Sequence, residues 1–189
     1  KRNLYSVTSE INQSIFETNN FLLKNNTISL IEYATFYGSA QIFNYLRKNG
    51  AELTSSLWLY AVHGQSEEII HILEENEIFP NEEEEDDESF ELIFKESIKC
   101  HHIDVANYIQ SNYLQDKNDS NDTSINGIKY YNFFFIQYNN NNNNNNNDLF
   151  WYSCKYDNYL IVDLLLKKAD IDINMKIIYV VLFLFNFYF

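Results

Sequence analysis

An internal repeat constrains this chain more than any other feature. Displaced by 27 positions, Ser29 falls on Ser56, Leu30 on Leu57, Tyr33 on Tyr60, Ala34 on Ala61, Ile42 on Ile69, Leu46 on Leu73 and Asn49 on Asn76. Each copy places apolar residues at helical spacing around a small residue, then a Gly near a break, then a second apolar run. In the first copy these are Leu30, Ile31, Ala34 and Gly38, followed by Ile42, Phe43 and Leu46. The pattern predicts two short helices packed as a hairpin. A helix pair this small cannot cover its own apolar face, so successive pairs must stack into a one-dimensional array.

Two further copies follow with more drift. At an offset of 63, Phe94 falls under Ile31, Ser97 under Ala34, Val105 under Ile42, Ile109 under Leu46 and Asn112 under Asn49. At an offset of 119, Leu149 falls under Leu30, Tyr152 under Tyr33, Ser153 under Ala34, Ile161 under Ile42 and Leu165 under Leu46. The expected fold is an all-α solenoid of stacked helix-turn-helix repeats with disordered insertions. Its four units span about 29–52, 56–77, 89–113 and 149–174. Residues 1–28 read as an N-terminal capping helix region, because Leu4, Val7, Ile11 and Ile15 step by three or four. The insertions are the acidic stretch 80–88 and the polar, Asn-rich stretch 114–148, in which 115–127 reads as loop and 128–138 as strand-like. The unbroken asparagine run 139–147 reads as a disordered loop.

These units resemble ankyrin repeats. The run Gly-His-x-x-Ile-Val-x-x-Leu-Leu of that family is echoed by His102, Ile103, Asp104, Val105 and Ala106 with Ile109, and again by Ile161, Val162, Leu164, Leu165 and Leu166. The family's Gly-Ala-Asp hairpin start is echoed by Gly50, Ala51 and Glu52, and by Ala169, Asp170, Ile171 and Asp172. The chain is most similar to the divergent ankyrin-like subfamily abundant in protozoan proteins. It departs from the general pattern in lacking Thr-Pro-Leu-His, since its single proline is Pro80, and in carrying Gly64 one position early relative to Gly38. The resemblance implies a structural role for His102. It also implies a concave face for docking partners, formed by the two residues before each mid-unit Gly. Phe36, Tyr37, His63, Lys99, Lys155 and Tyr156 are the candidates there, with Cys100 beside Lys99, and Glu52 and Thr54 at a hairpin tip.

Charge and motif content narrow the function. The formal net charge is −14, and 82–88 supplies seven of the negative charges, leaving about −7 elsewhere. Such a field repels phosphate backbones, which argues against nucleic acid and favours an unidentified protein partner with basic character. The glycines Gly38, Gly50, Gly64 and Gly127 are too scattered for a phosphate-cradling loop. Cys100, His101 and His102 tempt a zinc reading, but neighbouring helical positions diverge by about 100° and a zinc site needs converging ligands. No metal, cofactor or catalysis is expected. An enzyme would need a deep pocket joining His63 to carboxylates. Cys100 and Cys154 are too few for a disulfide framework, which points to the cytoplasm.

The chain begins at Lys1, which reads as a fragment, and ends in an apolar run at 177–189. That tail is shorter than the ~20 residues of a spanning helix. It is read as an artefactual end, a buried segment, or the start of a truncated membrane span. The favoured reading is a non-catalytic protein-protein interaction module. The alternative is the cytoplasmic ankyrin-like domain of a membrane-anchored protein.

Overall fold

The computed structural model describes residues 6–12, 14–24, 27–80, 89–114, 120–137, 143–168 and 171. The chain divides into two compact units, residues 1–114 and 115–189. Among the described residues it is mostly helical, with ten α-helices, one pair of short strands and one 3-10 turn.

In the first unit, β1 (Glu10–Asn12) pairs antiparallel with β2 (Thr27–Ser29), setting Ile11 opposite Ile28, and α1 (Asn20–Lys24) lies between them in sequence. The amphipathic helix expected through Val7, Ile11 and Ile15 is therefore corrected to a three-residue strand at Ile11, with Val7 and Ile15 in turns. Its polar positions are Thr8, Ser9, Asn12 and Ser14, whose side chains compete with helical backbone bonds. The Ser6 and Ser14 hydroxyls do accept locally, from the Thr8 and Phe16 amides. Leu22 of α1 is buried with Ile28, Phe36 and Tyr60, and Phe21 packs against the same cluster.

Three helix pairs follow: α2 (Leu30–Phe36) with α3 (Ala40–Lys48), α4 (Leu57–Gly64) with α5 (Glu67–Glu75), and α6 (Phe90–Lys99) with α7 (Ile103–Tyr113). Serine begins one helix of each pair. The hydroxyls of Ser29, Ser66 and Ser89 accept from the amides of Glu32, Ile69 and Leu92, and Glu32 returns the bond to Ser29 as a capping box. Helix α2 packs on α4, α4 on α6, and α3 on α5. Most matched apolar positions of the repeat fill the seams, with Phe43, Leu57, Ile69, Leu73, Ile93 and Ile109 all fully buried, whereas Ile42 is exposed. Each seam residue removes enough apolar surface from water to contribute ~1.5–3 kcal/mol.

The first helix of each pair ends in a left-handed residue: Gly38, Gln65 and His101 in the first unit, Tyr131 and Asp157 in the second. The next amide commonly reaches back to a small residue, as Ser39 N to Ala34 O, His102 N to Ser97 O, Asn132 N to Gly127 O and Asn158 N to Ser153 O. Gln65, rather than Gly64, thus occupies the position of Gly38. Four of these five residues carry a Cβ at a dihedral that disfavours it. Substituting exposed His101, at φ 60°, by glycine is accordingly expected to stabilise the first unit by ~0.5–1 kcal/mol. A urea titration that shows a lowered midpoint would refute this.

The second unit holds α8 (Ser120–Lys129), the 3-10 turn Phe133–Phe135, α9 (Asn143–Lys155) and α10 (Tyr159–Lys168). Two expectations are corrected here. Part of the polar loop is helix α8, and the strand-like aromatic run is the end of that helix followed by the 3-10 turn. Burial overrides the poor helix propensity of the segment: Thr123, Ser124, Gly127 and Ile128 are buried, and the Ser124 hydroxyl accepts from the Gln137 amide. Likewise the asparagine run is not disordered throughout, since α9 starts at Asn143 and Asn146 is buried. Ile128, Leu149, Ile161 and Leu165 form the core of this unit. Helix α8 ends in the same backbone turn as α2 and α6 and leads into the 3-10 turn.

Residues 81–88, the body of the acidic insertion, and residues 177–189, the apolar tail, lie outside the described residues. No helix among the described residues is long and apolar enough to cross a membrane.

Candidate functional site

The C-terminal ends of α2, α4 and α6 open onto a groove of about 440 Å³ lined by Asn19, Phe36, Tyr37, His63, Gly64, Cys100 and His102. Equivalent positions of the repeat line up there because the helices lie side by side. Phe36 and His63 are such a pair, and their rings stack at 5.0 Å and 28°. Phe21 covers the His63 ring at 4.2 Å. The imidazole is thus held between two aromatic rings on one side.

On its other side, His63 meets α6. Its Nε2 lies 3.1 Å from Glu96 Oε1, and its Nδ1 lies 3.4 Å from Cys100 Sγ. Lys99 Nζ donates to the same Glu96 oxygen at 2.6 Å. Burial alone would push the Glu96 carboxyl up, but the hydrogen bonds and charges of His63 and Lys99 outweigh it and hold the group down at about 2. Burial, reinforced by the Glu96 charge and only partly offset by Lys99, pushes the Cys100 thiol up to about 11. The order thiol, imidazole, carboxylate is that of an activated nucleophile, yet a thiol held at that value stays protonated at neutral pH and is a weak one. His102 faces the groove with its Nδ1 bound to the Val62 carbonyl at 2.6 Å. In the second unit, Asn158 binds the Ile128 carbonyl in the same way. Each ties the turn inside a helix pair to an earlier helix, α4 for His102 and α8 for Asn158.

Of the residues expected to dock a partner, Phe36, Tyr37 and His63 line this groove. Phe36 and His63 are largely covered, and Tyr37 is 54% exposed. Hydrogen bonding to Tyr33, then burial, pushes the Tyr37 phenol up to about 12, so it is neutral at physiological pH. Lys99 stands at the edge, tied to Glu96. Glu52 and Thr54 are exposed in the connection between α3 and α4 and do not line the groove, and Thr54 is bonded to Ser56. Lys155 and Tyr156 belong to the second unit. There the Lys155 ammonium lies 5.1–5.7 Å from the rings of Trp151, Tyr152 and Tyr156, and Lys129 of α8 sits 5.8 Å from Tyr156.

Glu96, Asn19 and Phe21 beside the groove were missed from sequence, as was the cation–ring contact of Lys129 in the second unit. Glu96 stands one helical turn before Cys100, so the two share a face of α6, and that spacing was the available signal. Lys129 and Tyr130 precede left-handed Tyr131 as Phe36 and Tyr37 precede Gly38, but the segment lacked the apolar pattern that marks a helix.

The chain matches no protein-family model, no curated protein and no solved structure. Fold and site together define a mostly helical protein of recurring helix pairs whose first unit carries an aromatic and thiol-lined groove.

Proposed function

We propose that the protein is a non-catalytic protein-binding module, an ankyrin-like array of helix pairs that docks a partner along the groove at the ends of α2, α4 and α6. The observation that carries this reading is the recurrence of one turn geometry, from Gly38 to Asp157, with equivalent residues of neighbouring helices side by side in the groove. The unequal spacing of the turns and the lack of any strand pair between the described helix pairs set it apart from a regular ankyrin array. The excess of acidic residues favours a partner with a basic segment, and the free thiols of Cys100 and Cys154 suit the cytoplasm.

Tyr37 is the aromatic anchor of this reading, being both exposed and held by ring contacts to Tyr33 and Phe36 at 4.9 and 5.0 Å. Tyr37→Ala is expected to leave folding within about 1 kcal/mol of the native chain and to weaken partner binding at least tenfold, or about 1.4 kcal/mol. Proteins captured on the full chain identify the partner, and titration of that partner against both forms gives the ratio. Equal affinities would remove the groove from the interface.

A further inference from the structure

We propose that His63, Glu96 and Cys100 form a site for one divalent transition-metal ion of the zinc type, with a fourth coordination position open to the groove. The ligand atoms of these three side chains lie within 4.8 Å of one another and none of the three is exposed. They come from α4, from α6 and from the residue that caps α6, so the packing of α4 on α6 brings them together. Imidazole, carboxylate and thiolate together are a donor set that zinc accepts, whereas magnesium and calcium prefer oxygen alone.

The distances suit a small ion. Tetrahedral zinc, with bonds of about 2.0–2.1 Å to nitrogen and oxygen and about 2.3 Å to sulfur, sets nitrogen and oxygen about 3.3 Å apart and nitrogen and sulfur about 3.5 Å apart. Here His63 Nε2 lies 3.1 Å from Glu96 Oε1 and 4.0 Å from Cys100 Sγ, so a thiol shift of about 0.5 Å brings the sulfur to the zinc-like distance from that nitrogen. The stacked rings of Phe21 and Phe36 already restrain the imidazole, which lowers the ordering cost of binding. Lys99 competes, because its ammonium holds the Glu96 oxygen that a metal would take. Its side chain is 40% exposed and has solvent to turn into. Binding takes up one metal ion, displaces the His63 Nε2 proton to Nδ1, releases the Cys100 thiol proton to the buffer and changes no oxidation state. Three protein ligands and one open position is the arrangement that leaves room for a water. The site stands independently of the partner-docking reading, although both use the same groove.

Cobalt(II) titrated into the chelator-treated full chain provides the test. The expected result is a sulfur-to-cobalt charge-transfer band that saturates at one equivalent, carries the visible bands of four-coordinate cobalt and is displaced by zinc. Cys100→Ser should abolish the charge-transfer band, while Cys154→Ser should leave it intact. His63→Gln should weaken zinc binding at least 100-fold. Lys99→Met, which removes the competing cation, should tighten it several-fold, a gain that misfolding does not produce. A band that survives Cys100→Ser, no saturable band in the native chain, or zinc affinity unmoved by both His63→Gln and Lys99→Met would overturn the proposal.

Discussion

Gly64→Ala is expected to destabilise the first unit by about 3 kcal/mol or more, lowering its melting temperature by more than ~10 °C. A Cβ at Gly64 would lie 2.2 Å from Thr35 O, 2.7 Å from Gly38 N and 2.9 Å from Gly38 Cα. All three are backbone atoms, so no side chain can turn aside to admit the methyl group. The ends of α2 and α4 would have to separate, and the stacking of Phe36 on His63 would be lost with them. Gly50→Ala is the control. It also has a positive φ, 93°, but nothing lies within 4 Å of the added carbon, so its cost is limited to backbone strain of ~1–2 kcal/mol. Thermal melts of the two variants followed by circular dichroism would separate the effects. If Gly64→Ala melts no lower than Gly50→Ala, the close approach of α2 to α4 is wrong.

Trp58→Ala is expected to cost about 4 kcal/mol. The indole is fully buried, meets Phe90 and Tyr113 edge-on at 5.3 and 5.8 Å, and donates its Nε1–H to the Ile78 carbonyl at 2.7 Å. It therefore joins α4 to α6, to α7 and to the segment that follows α5. Truncation both opens a cavity and strands a carbonyl that no longer has its donor. Trp58→Phe retains most of the volume and loses the donor, for an expected cost nearer 1–2 kcal/mol. Guanidinium denaturation of the three forms provides the comparison, and equal losses for alanine and phenylalanine would show that packing at this position contributes little. Tyr113 reinforces the same seam, stacking on Phe90 at 4.0 Å while its hydroxyl donates to Glu74.

Much of the helical framework was legible in the sequence because burial leaves periodic apolar residues. Leu73 repeats Leu46 and both are buried, and Ile69 is buried as well, whereas its counterpart Ile42 is exposed. Asn49, Asn76 and Asn112 were legible as matched positions. Their reason emerges only in three dimensions, where each side chain amide donates to the carbonyl one turn earlier, on Tyr45, Ile72 and Tyr108, and so closes the helix end. Helix α8 escaped because only Ile125 and Ile128 supply apolar contact amid buried Thr123, Ser124 and Gly127, too few apolar residues to mark a helical stripe. The turns escaped in part because Gln65, His101, Tyr131 and Asp157 tolerate a dihedral usually signalled by glycine. The groove was half legible. The aromatic residues stood out by type, but Glu96 looked like one more solvated carboxylate until His63 and Lys99 were seen to converge on it.

The left-handed turns stand at unequal distances along the chain, yet their geometry hardly changes from Gly38 to Asp157. The turn inside each pair therefore keeps one geometry although the lengths of chain that join the pairs differ. Loop-closure entropy penalises a doubling of such a connection by only about 0.6 kcal/mol. Codons gained or lost in such connections, outside the helices and away from buried positions such as Asn146, would thus carry only a small entropic penalty. The same freedom makes those junctions the natural places to graft a reporter or an affinity tag.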